Sequence, residues 1–332
     1  MSRARIFLSH PETARTWWYG HEALEGLRRL GEVVLNRTDG PLAGSDLAEA
    51  AAGCRVMILD RATAVDGGVM GALPDLVAIV RSGVETRHVD VAAASARGIL
   101  VTRSNPGYIA STAELILAHM LNCARDIPDY VNGYRKGQVR SPSHGLEMAG
   151  SVAGLIGYGR IARHLAHVLD AMGVSVLAHD PYAEIEPPAH RASLPELLEV
   201  SDFVVPILAA TGETANLLDE KALGSMKKGA FLINASRGDI VDERALAAAL
   251  DDGRIKGAGL DVGWGADQTP SAALAAHPRV NATPHIGNLT TQAAARHPAD
   301  TVAQTGEILA GRIPFGALNP DEAHRLRAIA LR

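Results

Sequence analysis

The chain has 332 residues, of which 47% are hydrophobic and 21% charged, and its net charge is -5. That length is large for one compact domain and comfortable for two, and the composition suits a globular enzyme with sizeable cores. The slightly acidic balance excludes the basic footprint that nucleic acid or an anionic membrane demands.

Met1–His10 runs directly into a strand-like segment and lacks the apolar core of a secretory signal. The longest apolar stretch, Ala113–Ala124, is interrupted by Glu114, His119 and Asn122 and is too short to span a bilayer. Cys54 and Cys123 stand far apart in apolar settings. We therefore expect buried free thiols in a reducing cytoplasm.

In chain order, residues 5–101 alternate between strand-like and helix-like segments. Strands are predicted at Arg5–Ser9, Glu32–Asn36, Arg55–Leu59, Leu76–Val80 and Ile99–Thr102, and helices at Thr16–Leu30, Asp46–Ala52 and Val89–Arg97. This pattern describes a doubly wound parallel sheet. Asn105-Pro106-Gly107 breaks the chain, and Ser111–Ala124 reads as a long buried helix. Further strands follow at Val152–Ile156, Val174–Ala178, Phe203–Ile207, Ala230–Ala235, Gly257–Asp261 and Val280–Thr283. After Pro284-His285 a helical segment, Thr290–Ala310, leads to a Pro-punctuated tail that we expect to return to the first domain.

The most informative stretch is Gly157-Tyr158-Gly159-Arg160-Ile161-Ala162. It follows the apolar run Val152–Ile156 and opens a helix with an apolar stripe at Ile161, Leu165, Val168, Leu169 and Met172. Gly173 stops that helix, and the next strand delivers Asp180 to its C-terminal end. Glycines let a backbone turn tightly and approach a pyrophosphate at the positive helix N-terminus. An acid about 20 residues on accepts hydrogen bonds from a ribose diol. Strand, loop, helix, strand and acid come in the required order, so a dinucleotide site is predicted, with Asp180 selecting NAD. The expected architecture is α/β, with two doubly wound parallel-sheet domains and a cleft between them. One is flavodoxin-like, over residues 1–105 and 289–332; the other is a Rossmann NAD-binding domain over 106–288.

From about Arg81 to Ala293 the chain resembles the D-isomer-specific 2-hydroxyacid dehydrogenases, the formate/glycerate dehydrogenase family. The resemblance rests on Arg81-Ser82-Gly83-Val84, Val89-Asp90-Val91, Gly157-Tyr158-Gly159-Arg160-Ile161 and Met226-Lys227-Lys228-Gly229. It continues through Asn234-Ala235-Ser236-Arg237-Gly238, Gly257-Ala258-Gly259-Leu260-Asp261-Val262 and Thr283-Pro284-His285-Ile286-Gly287. It implies NAD-dependent interconversion of a small 2-oxo acid and its D-2-hydroxy acid, by a cytoplasmic homodimer that needs no metal. A non-catalytic NAD-binding sensor or corepressor-like module is the rival reading.

Within this resemblance Arg237 is the residue that binds the substrate carboxylate and polarises the carbonyl, since a guanidinium fork suits both oxygens. By itself the residue fits a salt bridge equally well. His285 is the implied general acid/base. Asp261 resembles the anchor of the nicotinamide carboxamide, although a strand-end aspartate can simply cap a turn. Thr112 resembles a position beside the nicotinamide ribose, and helix capping by Ser111 or Thr112 is the alternative. Tyr158, Gly159, Arg160, Ile161, Ala235 and Gly287 complete the implied cofactor contacts. The backbone amides of Val84 and Glu85 are the implied substrate-carboxylate donors, whereas Glu85 and Arg87 also read as a solvated surface pair.

The sequence departs from the family in places. Where the family places a glutamate that pairs with the histidine stands Ala266; Asp267 follows one residue late and one methylene short. A partner reached through a loop shift and a solvated carboxylate both remain open. Glu85, Thr86, Arg87 and His88 replace an aromatic-Asp-Asn run, and Ile207-Leu208-Ala209 replaces a His-x-Pro segment. Trp264 reads as a pocket wall or as packing. Trp17-Trp18-Tyr19 reads as a lid, an aromatic core or a dimer contact.

Overall fold

The computed structural model describes residues 3–330. The chain up to Gly107 and again from Thr290 forms one compact unit, and Tyr108–Leu289 forms a second.

The first unit is built on five parallel strands: β1 (Arg5–Leu8), β2 (Glu32–Leu35), β3 (Val56–Leu59), β4 (Ala78–Arg81) and β5 (Leu100–Arg103). Their order is β2-β1-β3-β4-β5. β3 and β4 are buried along their whole length, which is why both read as apolar runs, β4 up to its last residue, Arg81. Successive side chains feed opposite faces. Phe7, Met57 and Ile79 share a core with Leu47 and Val69, whereas Ile6, Ile58 and Val80 share one with Leu27 and Ile308. The returning helix Thr291–Leu309 supplies Ile308.

One predicted helix is corrected. Thr16–Leu30 is broken at Gly20, whose φ is +82°; a π-helical turn, Arg15–Tyr19, precedes it and the helix His21–Leu30 follows. The Arg15 guanidinium holds this turn by donating to the carbonyls of His10 and Asn36. The break splits the aromatic triplet. Tyr19 is buried and hydrogen bonds Thr301 at 2.7 Å, while Trp17 is 80% exposed.

The second unit has seven parallel strands: β6 (Val152–Ile156), β7 (Ser175–His179), β8 (His190–Arg191), β9 (Phe203–Pro206), β10 (Ala230–Asn234), β11 (Ile255–Leu260) and β12 (Val280–Ala282). The order β12-β11-β10-β9-β6-β7-β8 reverses direction between β6 and β9. In open parallel sheets ligands bind at the carboxyl ends of strands beside such a reversal. The helix Ile109–Arg125 packs on the helix Arg160–Ala171 and on β10 and β11. Elements outside the sequence-based expectations include the two-residue β8, the helix Ile127–Arg135, set off by left-handed Asp126, and the helices Leu194–Val200, Glu220–Ser225 and Glu243–Asp251.

Cys54 and Cys123 are free and buried, and burial pushes each thiol up to about 11. No helix among the described residues is long and apolar enough to cross a membrane.

Candidate active site

The glycine turn follows β6 at the reversal. Gly157 has φ +94°, and a Cβ there would overlap the carbonyl oxygen of Ile207, just beyond β9. Only glycine lets the two strand ends approach so closely. Gly159 is the N-cap of the helix Arg160–Ala171, which has no side-chain cap, and nothing lies within 4 Å of where its Cβ would stand. Arg160 is exposed, and Ile161 packs half-buried on the core. The open, uncapped helix N-terminus fits a pyrophosphate.

Tyr158, between the glycines, faces inward. Its ring is buried, its hydroxyl donates to the Glu186 carbonyl at 2.9 Å, and the Arg163 guanidinium lies 4.7 Å over the ring. Asp180, half-buried beyond β7, accepts amide hydrogens from Tyr158, Tyr182 and Ala183. Burial alone would raise its carboxyl; the three backbone donors outweigh that and hold it below the usual carboxylate range. Arg191 also stands here, donating to the carbonyls of Asp180 and Ala183. Sequence reasoning missed that cation, which arrives eleven residues later from β8.

Arg237, Asp261 and His285 follow three neighbouring strands. The register pairs Asn234 with Leu260 and Leu260 with Ala282. Arg237 and His285 therefore each stand three residues past paired positions, flanking Asp261.

The Arg237 side chain is exposed, and its Nη1 donates to the Ser236 carbonyl at 2.7 Å. Asn234 folds this corner: its amide donates to the Arg237 carbonyl, and its oxygen accepts from the Ser236 amide and hydroxyl. Ala235, between them, is half-buried. Asp261 is 1% exposed; Oδ1 accepts from the Thr283 hydroxyl at 2.6 Å and the Ile286 amide at 2.8 Å, and Oδ2 accepts from the Gly287 amide at 2.8 Å. Between these donors His285 is held with φ +56°, in the left-handed region. Non-glycine residues rarely adopt it, and such strain gathers at functional sites.

Thr112 lies inside the helix Ile109–Arg125, whose N-cap is Tyr108, so capping by Thr112 is corrected. Its hydroxyl donates to the Gly287 carbonyl at 3.2 Å. Val84 and Glu85 belong to the first unit, in the loop after β4. Neither amide finds an acceptor among the described residues, and the Glu85 carboxylate pairs with Arg87 at 3.5 Å. Ala266 opens a short 3-10 turn; the Asp267 side chain lies outside the described residues.

Residues 117–287 match the profile of the D-isomer specific 2-hydroxyacid dehydrogenase, NAD binding domain. The chain belongs to the D-isomer-specific 2-hydroxyacid dehydrogenase family. Relatives in this dehydrogenase family include the D-3-phosphoglycerate dehydrogenase of Mycobacterium tuberculosis, 38% identical over 87% of this chain and 56% of that protein. The (S)-sulfolactate dehydrogenase of Chromohalobacter salexigens is 37% identical over 74% of this chain and 81% of that one. The chain thus spans little more than half the length of the phosphoglycerate dehydrogenases it matches. Among solved structures, the TT0316 protein of Thermus thermophilus superposes with a TM-score of 0.77 at 32% identity, covering 95% of this chain and 99% of that one. The D-lactate dehydrogenase of Lactobacillus jensenii with NAD+ gives 0.81 at 26%, covering 95% and 99%. The glycine turn and Asp180 accordingly lie in the segment that matches this family's NAD-binding domain.

Beside this domain's Arg237 corner lies a contact that sequence reasoning left open. Trp264 donates its indole N–H to the Gly238 carbonyl at 3.2 Å, and its amide to Glu243 at 2.8 Å. Its ring is 50% exposed and lies against the backbone of Gly238, the residue after Arg237.

Proposed function

We propose that the chain is an NAD-dependent D-2-hydroxyacid dehydrogenase that interconverts a small 2-oxo acid and its D-2-hydroxy acid, as a cytoplasmic homodimer. What carries this reading is that Arg237, Asp261 and His285 follow the paired ends of three neighbouring parallel strands of the sheet that holds the dinucleotide turn. Residues 106–288 bind NAD, and residues 1–105 with 289–332 bind substrate.

Gly157, Gly159 and the first amides of the helix Arg160–Ala171 would hold the pyrophosphate, with Tyr158, Arg160 and Ile161 around it. Asp180 would take the adenosine ribose, and Thr112, Ala235, Asp261 and Gly287 would surround the nicotinamide. A nicotinamide held there would supply the hydride for reduction, or accept it in oxidation, at the substrate carbon. Arg237 grips the substrate carboxylate and its neighbouring carbonyl oxygen, where negative charge develops during reduction. His285 donates a proton to that oxygen in reduction and takes it back in oxidation. To the first unit we assign carboxylate binding by the amides of Val84 and Glu85.

An exposed apolar stripe supports the dimer: Ile127, Val131 and Tyr134 recur on one face of the helix Ile127–Arg135. The two free thiols support a reducing compartment. The test is turnover of a panel of 2-oxo acids with NADH, with 3-phosphohydroxypyruvate and 3-sulfopyruvate included. Turnover of at least one acid to the D-hydroxy product is expected. Tight NADH binding with no turnover of any of them would overturn the enzymatic reading in favour of a sensor.

A further inference from the structure

His119 lies in the middle of the helix Ile109–Arg125, is 2% exposed, and has no part in the chemistry above. It packs against β11, where a Cβ on Gly259 would come within 2.6 Å of the His119 Cβ. Its Nε2 lies 3.1 Å from the Thr283 hydroxyl. That hydroxyl spends its hydrogen on Asp261, so the threonine oxygen must accept from an Nε2–H. The tautomer follows: His119 is neutral, protonated on Nε2, with a bare Nδ1 that has no hydrogen-bond partner among the described residues. Burial favours the same neutral form, pulling the imidazole below its ordinary value against the pull of Asp261.

A buried, unpartnered nitrogen is costly, and an apolar side chain would fill this space without that cost. What the histidine adds is one directed hydrogen bond. We infer that His119 is a positioning residue for the turn that carries His285. Its Nε2–H aims the Thr283 hydroxyl at Asp261 Oδ1, which fixes the carboxylate so that its oxygens meet the Ile286 and Gly287 amides. Those amides directly follow the left-handed backbone of His285. The relay joins the helix to two strand ends, and removing its first donor leaves Thr283 free to rotate. The catalytic part of the inference rests on the dehydrogenase reading; the positioning part does not.

Three variants separate the hydrogen bond from the bulk. Glutamine carries a terminal N–H at the same reach as Nε2, asparagine places its amide at the Nδ1 position, and leucine has neither. Hydrogen exchange of Ile286 and Gly287 is expected to quicken about tenfold in His119→Leu and His119→Asn and to stay near wild type in His119→Gln. With NADH and a 2-oxo acid substrate, kcat should fall about tenfold in the first two variants and recover in the third. That loss is smaller than the ~10²-fold that a full ångström of misplacement costs. The NADH dissociation constant should change by less than about twofold. Unchanged exchange in His119→Leu, or a glutamine variant no better than leucine, overturns the inference. If the leucine variant does not fold, Thr283→Val cuts the same relay and carries the same expectations. If the wild type turns over no 2-oxo acid, the dehydrogenase reading fails, while the exchange comparison still decides the relay.

Discussion

Asp180 Oδ2 accepts the amide hydrogen of Tyr158 at 2.7 Å, tying the end of β7 to the middle of the glycine turn. The carboxylate we assign to the adenosine ribose is thus also a structural pin, held ionised by three amides. A 2′-phosphate beside it meets a like charge, at a cost of several kcal/mol. We predict kcat/KM at least about 10²-fold higher with NADH than with NADPH. Asp180→Asn should cut that preference about tenfold or more, with Arg191 available as a cation. Equal efficiency with NADPH in the wild type would remove Asp180 from this role.

Arg237→Ala should cost about 10²–10³ in kcat/KM, comparable to losing an oxyanion donor. Its melting temperature should match wild type, because the exposed guanidinium contacts the neighbouring Ser236 carbonyl and the corner is folded by Asn234. Kinetics and a thermal melt together check this; unfolding in place of inactivation would make the residue structural.

Gly157→Ala should be damaging on two counts. The backbone is left-handed, which costs a non-glycine residue about 1–2 kcal/mol, and the new methyl overlaps the Ile207 carbonyl. We predict a loss of stability of at least about 2 kcal/mol in urea unfolding, accompanied by weakened NADH binding. A variant with wild-type stability would contradict the close approach of β6 and β9.

His285 offers a trade of activity against strain. Glycine adopts φ +56° without penalty and alanine does not. His285→Gly and His285→Ala should both lose about 10²–10⁴ in kcat, yet the glycine variant should be more stable by about 1 kcal/mol. Matched denaturation curves for the pair test this directly. Identical stabilities would mean that the left-handed backbone relaxes once the imidazole is gone.

His10 should make stability fall in mild acid. Burial lowers its pKa from 6.5 to about 4, with Arg81 and Arg15 adding to the effect and Asp60 opposing it. The unfolded chain therefore takes up this proton before the folded one does. Stability is complete above pH ~6.5, declines as the pH falls towards ~4, and loses at most about 3 kcal/mol through this group. His10→Phe keeps a ring against Tyr19, 4.9 Å away, and removes the titration. Urea unfolding from pH 7 to 4.5 should show a shallower decline for the variant; parallel curves would assign the decline to other groups.

What could be read in the sequence follows from locality. β6 is legible because an apolar run ends at a glycine, and β10 because Ala230–Ile233 is unbroken and apolar, whereas the three-residue β12 carries Asn281 at its centre and is legible through the Thr283-Pro284-His285 motif that follows it. The helix Ile127–Arg135 is not, because its apolar residues Ile127, Val131 and Tyr134 stay exposed and join no core. The break at Gly20 hides inside an apolar pattern that continues on both sides of it. At the site, the residue types at the strand ends are visible, but their bonding is not. His119 and Thr283 are 164 residues apart and meet only once the helix lies on the sheet. Arg191 reaches the Asp180 carbonyl through a two-residue strand too short to carry a pattern.

The second unit is inserted within the first, and this sets an order of events on the ribosome. β4 and β5 emerge early, but their partners arrive only after Leu289: the helix Thr291–Leu309, Gln304 on the Arg103 carbonyl, and Asn319 on the Val101 amide. About 180 residues intervene, so at roughly 5–20 residues per second the first sheet waits on the order of ten to forty seconds with one face covered only by the helix His21–Leu30 and its preceding turn. The nucleotide-binding unit, continuous in sequence, can close during that interval. Nascent chains stalled before residue 290 should therefore expose a sticky five-stranded sheet beside a finished NAD-binding unit.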